Sequence, residues 1–273
     1  MSSFVDRLAS SMRSRDSIVC VGLDPEPDRI PGSLGRGTPA ALKFLRRVIA
    51  ATSHAACCYK PNIAFFERYG AGGADLLGLV LQAIPRDIPV ILDAKRGDVP
   101  STASAYAEAV FARWKVDATT VSPYLGLDSV EPFAERGFAF VLARTSNPGA
   151  RDLQDLDAGG RPLYERVVEA FAERFAADRV GFVVGATYPD EARRLRALAP
   201  EALFLMPGVG AQGGELADAI RAGLDARGGG VLPSASRSVL YASSGADFDA
   251  AAARAADELR RAANEARLAG ARS

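Results

Sequence analysis

The feature that most constrains the fold is a regular alternation of short apolar runs with segments of helical spacing. Eight runs have the length of a strand, at residues 18–23, 55–59, 90–92, 118–121, 138–143, 180–184, 203–206 and 230–233. Strands that alternate with helices at this period form parallel sheets with right-handed crossovers. Eight such units in 273 residues therefore predict an α/β fold of the (β/α)8 TIM-barrel class. An open doubly wound sheet stays the alternative, because periodicity alone does not show closure.

We expect a single domain over residues 1–273, because no linker or shift in composition divides the chain. An amphipathic helix near residues 4–13 should precede the barrel, and a long helix near 248–268 should end it. The polar segment 150–161 is predicted to form a loop. At 48% hydrophobic and 24% charged residues, the chain has an ordinary globular composition.

Composition also limits the partners. Lys plus Arg equals Asp plus Glu at 33 each, so we expect no nucleic-acid partner. The chain has no apolar run of about 18 residues and no signal-peptide core, which predicts a cytoplasmic protein with no membrane partner. Cys20, Cys57 and Cys58 lie in apolar surroundings without metal-site spacing. They are expected to be buried thiols in a reducing compartment.

The third apolar run ends in charges, as Val90-Ile-Leu is followed by Asp93-Ala-Lys95-Arg-Gly-Asp98. Side chains alternate along a strand, so Asp93 and Lys95 should point to the same side. Charges at the end of a buried strand need compensating partners, which favours a pocket over a surface salt-bridge cluster. Alternating cations and anions would keep the lysine protonated, as a general acid requires.

Polar residues at the other strand ends are the natural companions of this motif, because ligand sites of parallel α/β folds lie there. The Gly-rich turn 207–214 and the Ser-Arg-Ser helix start at 236–238 make a candidate phosphate cradle. Glycines let backbone N–H groups approach an anion, and a helix N-terminus adds partial positive charge. An ordinary glycine-bearing turn is the alternative. Lysines interleaved with the carboxylates would compete with a dication, so no metal is expected.

Residues 93–98 have the form DxKxxD, and five further segments accompany them in order along the chain. These are Gly22-Leu-Asp24, Tyr59-Lys60-Pro-Asn62, Ser146-Asn-Pro-Gly149, the turn 207–214 with Gln212, and Ser236-Arg237-Ser. Together the segments cover the whole chain and resemble the orotidine 5'-phosphate decarboxylase superfamily, whose signature is DxKxxD. The chain looks most like the longer bacterial subgroup.

The resemblance implies decarboxylation of orotidine 5'-monophosphate to uridine 5'-monophosphate, the final step of UMP biosynthesis, without a cofactor. By the family pattern, Asp93 lies against the substrate carboxylate, and Lys95 stabilises and protonates the C6 carbanion. Asp98 and Thr102 would reach the site of the neighbouring subunit. The resemblance therefore implies a homodimer.

The same family pattern assigns residues to the ribose, pyrimidine and phosphate groups of the substrate. Asp24 and Lys60 would hold the ribose hydroxyls, with Lys60 also part of the catalytic charge cluster. Ser146 would contact the pyrimidine, while Gln212 and Arg237 would bind the phosphate.

Three other functions stay open on the sequence. A sugar-phosphate decarboxylase or lyase of the same superfamily would use Mg²⁺. A Schiff-base aldolase would use Lys95 as a nucleophile. A phosphoribosyl-ligand binding module would bind nucleotide without turnover.

Overall fold

In the computed structural model, which describes residues 3–208 and 213–270, the strands form one parallel eight-stranded sheet. In chain order they are β1 Cys20–Gly22, β2 Cys58–Lys60, β3 Ile91–Arg96, β4 Ala118–Val121, β5 Phe138–Arg144, β6 Val180–Val184, β7 Phe204–Pro207 and β8 Val231–Ala235. The sheet order is β2-β1-β8-β7-β6-β5-β4-β3.

Helices lie between these strands and at both ends of the described chain. They are α1 Phe4–Arg15, α2 Gly37–Thr52, α3 Ile63–Glu67, α4 Gly73–Ala83, α5 Pro100–Glu108, α6 Glu131–Arg136, α7 Arg151–Gln154, α8 Leu163–Arg174, α9 Pro189–Leu198, α10 Gly213–Gly223, α11 Arg237–Leu240 and α12 Phe248–Gly270. A π-helical turn, Ala109–Arg113, extends α5. Within the described ranges, none of the helices has both the length and the apolar character needed to cross a membrane.

The two outer strands of this order, β2 and β3, meet and close the sheet. Isolated parallel bridges join Tyr59 to Val90 and Asn62 to Asp93. The amide of Asp93 donates to the carbonyl of Pro61 over 2.9 Å. The predicted (β/α)8 barrel is therefore confirmed, with its closing joint at the residues of the DxKxxD motif.

The inside of the barrel is filled by apolar side chains from its strands, and α1 closes the amino-terminal end. Phe4 packs against Phe138 and Phe140 with ring centroids 4.9 and 5.9 Å apart, and Leu8 joins the same cluster. A capping box between Ser3 and Asp6 starts the helix, which fixes its first turn beneath the barrel. The other members are Cys20, Cys57, Cys58, Ile91, Ala118, Val183, Leu205 and Leu232. The three cysteines are buried and free, as predicted.

Two strands lose their regular register near their carboxyl ends. The pairing of β3 with β4 shifts between Leu92 and Arg96, and the pairing of β5 with β6 shifts between Leu142 and Arg144. Such bulges re-aim the side chains that follow them. The two irregular strands are those that carry Lys95 and lead into Ser146.

The prediction that residues 150–161 form a loop is wrong in part. A 3-10 turn, Pro148–Ala150, runs into α7 at Arg151–Gln154. Proline at the first position of a helical turn has its backbone already in a helical conformation and needs no N–H there. Because of this turn, the segment after β5 folds back toward the end of its own strand.

Removing the side chain that closes the amino-terminal end should weaken the whole barrel. Leu8 is 2% exposed, so Leu8→Ala should lower the free energy of unfolding by about 2–5 kcal/mol through a cavity the fold cannot refill. Urea unfolding followed by circular dichroism measures this change. Leu268→Ala, at a position 55% exposed in α12, is the control and should change it by less than about 0.5 kcal/mol. Equal midpoints for the two variants would mean that α1 is not part of the barrel core.

Candidate active site

A cluster of opposite charges occupies the carboxyl ends of β2 and β3. One oxygen of Asp93 lies 3.2 Å from the Lys60 Nζ, and the other lies 2.6 Å from the Lys95 Nζ. The side chains of Lys60 and Asp93 are 8% and 10% exposed, whereas that of Lys95 is 48% exposed. Asp93 is thus held between one buried ammonium group and one that faces open space.

Neutral donors complete the surroundings of the Asp93 carboxylate. The Asn62 Nδ2 donates to Asp93 Oδ2 over 3.2 Å, and the Thr120 hydroxyl donates to Asp93 Oδ1 over 2.8 Å. Each oxygen therefore accepts one charged and one neutral hydrogen bond. Hydrogen bonds and cations stabilise the ionised form of a carboxylate, so the cluster holds Asp93 as an anion in a fixed orientation.

The pKa values follow from this balance. Burial raises the pKa of Asp93, but Lys60, Lys95 and the hydrogen bonds from Lys95 and Thr120 together bring it well below its ordinary value. Burial lowers the pKa of Lys60, but Asp93 and Asp24 raise it above its ordinary value. At neutral pH the site therefore contains a carboxylate and an ammonium group rather than a neutral pair.

Asp24 lies beside this cluster, beyond the end of β1. It is buried and accepts a hydrogen bond from the Asn62 amide over 3.1 Å. Burial raises the pKa of Asp24 above its ordinary value, although Lys60 opposes the shift. Asn62 therefore joins two acids, since its backbone contacts Asp24 and its side chain contacts Asp93.

The position of Lys95 depends on an irregular backbone. Its φ angle is 46°, in the left-handed region, which residues other than glycine adopt rarely. Its amide and that of Ala94 both donate to the Thr120 Oγ1 over 3.0 Å. Gly97 follows, where an added Cβ would lie 2.8 Å from the Ser122 carbonyl oxygen. The motif needs a glycine at position 97 because the chain passes this close to Ser122 at the carboxyl ends of β3 and β4.

A cavity of about 380 Å³ opens over the charged cluster. Its wall is charged on the side of β2 and β3, apolar at the ends of β5 to β7, and polar along the segment that follows β5. The lining residues are Lys60, Asp93, Lys95, Thr120, Leu142, Thr145, Ser146, Asn147, Gln154, Val183, Leu205 and Pro207. Lys60, Asp93, Lys95 and Ser146 are predicted site residues that meet at this cavity.

The segment around Ser146 is held by a buried arginine. The side chain of Arg144 is 1% exposed, forms an ion pair with Asp155 over 3.3 Å and lies over the ring of Tyr188 at 4.3 Å. The Gln154 side chain accepts from the Thr145 amide over 2.9 Å and donates to the Thr145 hydroxyl over 2.8 Å. These contacts fasten α7 to the end of β5, so the residues between them are fixed against the cavity.

The two residues expected to be shared between subunits lie away from this cavity. Asp98 is in the loop after β3, where it accepts from the Val99 amide over 2.7 Å, and Thr102 is in the first turn of α5. Both are half-buried, and neither lines the cavity of its own chain.

The candidate phosphate end is described only in part. Arg237 begins α11 directly after β8, and its exposed side chain makes no hydrogen bond or ion pair with the residues that the structure describes. Gln212 falls outside the described ranges. Gly208 has a φ of 90°, and a Cβ there would lie 3.5 Å from the Ser146 Oγ. The start of the Gly-rich turn therefore lies next to the segment around Ser146.

Three residues that line the cavity or contact its charged cluster were not predicted from the sequence. Thr120 precedes the end of β4 by one residue, whereas the sequence pattern points to the residue that follows each strand. Gln154 lies in the segment predicted as a loop. Asn62 belongs to the motif Tyr59-Lys60-Pro-Asn62, which predicts no role for it. Alternate side chains of a strand point to the same face, so the pattern of inward-facing residues along β4 could have identified Thr120 as a residue of the site. Across the ranges 3–208 and 213–270, no group of three or more His, Cys, Asp or Glu side chains could hold a metal ion.

Comparison with known proteins gives consistent results. Residues 17–255 match the family model described as Orotidine 5'-phosphate decarboxylase / HUMPS family. The orotidine 5'-phosphate decarboxylase of Azoarcus sp. is 46% identical over 266 residues, covering 96% of this chain and 98% of the relative. That of Thermomicrobium roseum is 46% identical over 264 residues, covering 94% of each chain. The solved structure of Leishmania donovani OMP decarboxylase is similar with a TM-score of 0.86 at 41% identity, covering 98% of this chain and 99% of that chain.

The charge cluster predicts a particular pH dependence of stability. Asp93→Asn should lower the free energy of unfolding at pH 7 by about 3–5 kcal/mol, because the buried Lys60 ammonium loses its closest counter-charge. The pKa of Asp93 is depressed in the folded state, so its contribution is complete above its unfolded pKa of about 3.9. The difference in unfolding free energy between Asp93→Asn and the unmodified protein should therefore become smaller only as the pH falls below about 4.

Urea unfolding at pH 7 and at steps below pH 4 measures this difference. Asp28→Asn is the control, since Asp28 is exposed, and it should change the unfolding free energy by less than about 0.5 kcal/mol. Equal stability of Asp93→Asn and the unmodified protein at pH 7 would contradict the electrostatic account of the cluster.

Proposed function

Because this chain belongs to the Orotidine 5'-phosphate decarboxylase / HUMPS family and is a carboxy-lyase, we propose that it converts orotidine 5'-monophosphate to uridine 5'-monophosphate without a cofactor. The observation that carries the proposal is the Lys60–Asp93–Lys95 cluster at the wall of the 380 Å³ cavity. An ionised carboxylate beside a half-exposed ammonium group suits a reaction in which a carboxylate leaves and a carbanion must be protonated.

In the proposed reaction the bond between C6 and the substrate carboxyl group breaks, and carbon dioxide leaves. The bonding electron pair stays on C6, faced by the Lys95 ammonium, which stabilises the developing charge and then donates a proton to it. Solvent reprotonates Lys95. A preorganised cation lowers the barrier most when it is fixed before the charge develops, and the 2.6 Å contact with Asp93 fixes Lys95 in this way.

Asp93 would lie against the substrate carboxylate, where two like charges repel each other in the ground state and are separated when carbon dioxide leaves. The apolar side chains of Leu142, Val183 and Leu205 line the same cavity. An apolar wall accommodates neutral carbon dioxide better than a carboxylate, since desolvation penalises the charged form. Both the charge repulsion and the apolar wall favour carbon dioxide and the carbanion over the bound substrate carboxylate.

The remaining polar residues would bind the rest of the nucleotide. We propose that Asp24 and Lys60 hold the ribose hydroxyls, that Ser146 contacts the pyrimidine, and that Gln212 and Arg237 bind the phosphate. The burial of Asp24 and Lys60 and the exposure of Arg237 agree with these roles, since an exposed guanidinium is free to bind an anion bidentately.

One absorbance assay tests the reaction. The purified protein should change the absorbance of orotidine 5'-monophosphate at the pyrimidine band, and EDTA should leave the rate unchanged. Lys95→Ala should lower turnover by roughly 10²–10⁴-fold, the range for a positioned proton donor, while uridine 5'-monophosphate still binds. Lys43→Ala, at an exposed position in α2, is the matched control and should retain full activity.

The other outcomes identify the rival functions. Activity that disappears with EDTA and returns with Mg²⁺ would favour the Mg-dependent sugar-phosphate enzyme. A borohydride-trapped adduct on Lys95 would favour a Schiff-base mechanism. Tight nucleotide binding with no turnover would favour a binding module.

We further propose a homodimer in which Asp98 and Thr102 of each subunit complete the site of the other. Exposed apolar side chains lie in the loops after the neighbouring strands β3 and β4, as expected of an interface. Val99 is 53% exposed and Tyr124 is 75% exposed, and Leu125 and Leu127 are exposed nearby in the chain.

Mixing two inactive variants tests the shared site. Lys95→Ala and Asp98→Ala should each lose most activity, but after dissociation and reassociation about a quarter of the unmodified activity should return, because half of the dimers then hold one intact site. A mixture of Lys95→Ala and Lys60→Ala is the control, since both changes affect residues of the same subunit's site. No recovery in the first mixture would contradict the shared site.

A further inference from the structure

The hydroxyl group of Thr120 contacts both the side chain of Asp93 and the backbone of Lys95. Thr120 is 1% exposed and lines the cavity beside Asp93 and Lys95. A hydroxyl group can donate one hydrogen bond and accept two. The Thr120 hydroxyl donates to Asp93 Oδ1 over 2.8 Å and accepts from the amides of Ala94 and Lys95 over 3.0 Å each. All three of its bonds are therefore used within the protein.

These bonds lie at the bulge between β3 and β4. Leu92 pairs with Thr119 and Arg96 pairs with Val121, so Asp93, Ala94 and Lys95 together face Thr120 alone. A bulge leaves backbone groups without their partners in the ladder, and buried amides need an acceptor. The Thr120 hydroxyl oxygen takes the place of the missing backbone carbonyl for two successive amides.

One of these amides belongs to the residue with the unusual backbone. Lys95 has a φ of 46°, and such a conformation persists only where the surrounding structure holds it. Thr120 therefore fixes both members of the pair, because it binds the carboxylate of Asp93 and the backbone of Lys95 at once. The Lys95 Nζ and the Thr120 hydroxyl meet at the same oxygen, Asp93 Oδ1.

We infer that Thr120 is a positioning residue for the decarboxylation, which sets the direction of the Asp93 carboxylate and the path of the chain at Lys95. The inference rests on the proposed function for its effect on turnover. It concerns the step in which charge develops at C6 and not the binding of the nucleotide, since no bond of the hydroxyl is left for a ligand.

Kinetics of paired variants test this role. Thr120→Val should lower kcat roughly 10- to 100-fold, as expected for the loss of a hydrogen bond to a charged group. The Kd for uridine 5'-monophosphate should stay within about threefold, because all three hydrogen bonds of the hydroxyl are made within the protein. Thr120→Ser keeps the hydroxyl and should restore kcat to within about threefold of the unmodified enzyme.

Thr119 provides a matched control in the same strand. It is fully buried, and its hydroxyl donates to the Leu92 carbonyl over 2.9 Å, so Thr119→Val removes an equally buried hydroxyl from the same strand pair. Its kcat should stay near that of the unmodified enzyme. Equal losses in Thr119→Val and Thr120→Val, or equal losses in Thr120→Ser and Thr120→Val, would overturn the inference.

Amide hydrogen exchange gives a readout that does not need activity. The amides of Ala94 and Lys95 should exchange faster in Thr120→Val and in Thr120→Ala, but not in Thr120→Ser or Thr119→Val. The alanine variant shows whether any effect of valine is due only to its extra methyl group. Unchanged exchange in both hydroxyl-free variants would overturn the role of Thr120. An unmodified protein without turnover would refute the proposed decarboxylation, and the exchange experiment would still decide the role of Thr120.

Discussion

The site depends on one buried anion, the carboxylate of Asp93, and so does the closing joint of the barrel. The strands β2 and β3 meet only through isolated bridges, whereas each other pair of neighbouring strands in the described sheet forms a ladder of at least two residue pairs. Across this joint, Lys60 and Asn62 from the β2 side both bind Asp93 on β3. Charged and polar side chains thus connect two strands whose backbones share few hydrogen bonds. A carboxylate buried without them would lose its charge, so closure of the barrel and ionisation of the site support each other.

The strand that carries the charged pair is irregular where the pair lies. In a straight strand, residues i and i+2 lie on the same face, with side chains roughly perpendicular to the sheet. In β3 a bulge and the left-handed backbone of Lys95 lie between this regular geometry and the observed one, in which the Lys95 Nζ lies 2.6 Å from Asp93. A second bulge in β5 precedes Ser146, where the Gly185 amide donates to the Arg144 carbonyl over 2.7 Å. The bulges therefore lie in β3 and β5, at strand ends whose residues take part in the proposed reaction.

The sequence was sufficient for the parts of the molecule that follow from local pattern. Eight apolar runs that alternate with helices predicted the barrel, and the carboxyl ends of parallel strands necessarily converge on one rim. The meeting of Asp93, Lys95 and Lys60 follows from that convergence. Other features depend on contacts between distant residues and leave no local signal. Examples are the packing of Phe4 against Phe138, the return of Gln154 onto Thr145 and the placing of one threonine opposite a three-residue bulge.

The two ends of the candidate site differ in how their charges are satisfied before any ligand binds. At the end that carries the charge cluster, Lys60 and Asp93 are buried and paired within the protein, so folding has already met the cost of ordering and desolvating them. At the proposed phosphate end, Arg237 is exposed and makes no hydrogen bond or ion pair within the described ranges. A guanidinium group in this state gains most of its interaction energy only when an anion arrives. Under the proposed function, phosphate binding would therefore supply energy at a point remote from C6, while the reacting groups stay fixed throughout. Interactions remote from the reacting bond can contribute to catalysis in this way when the groups around the bond are already in place.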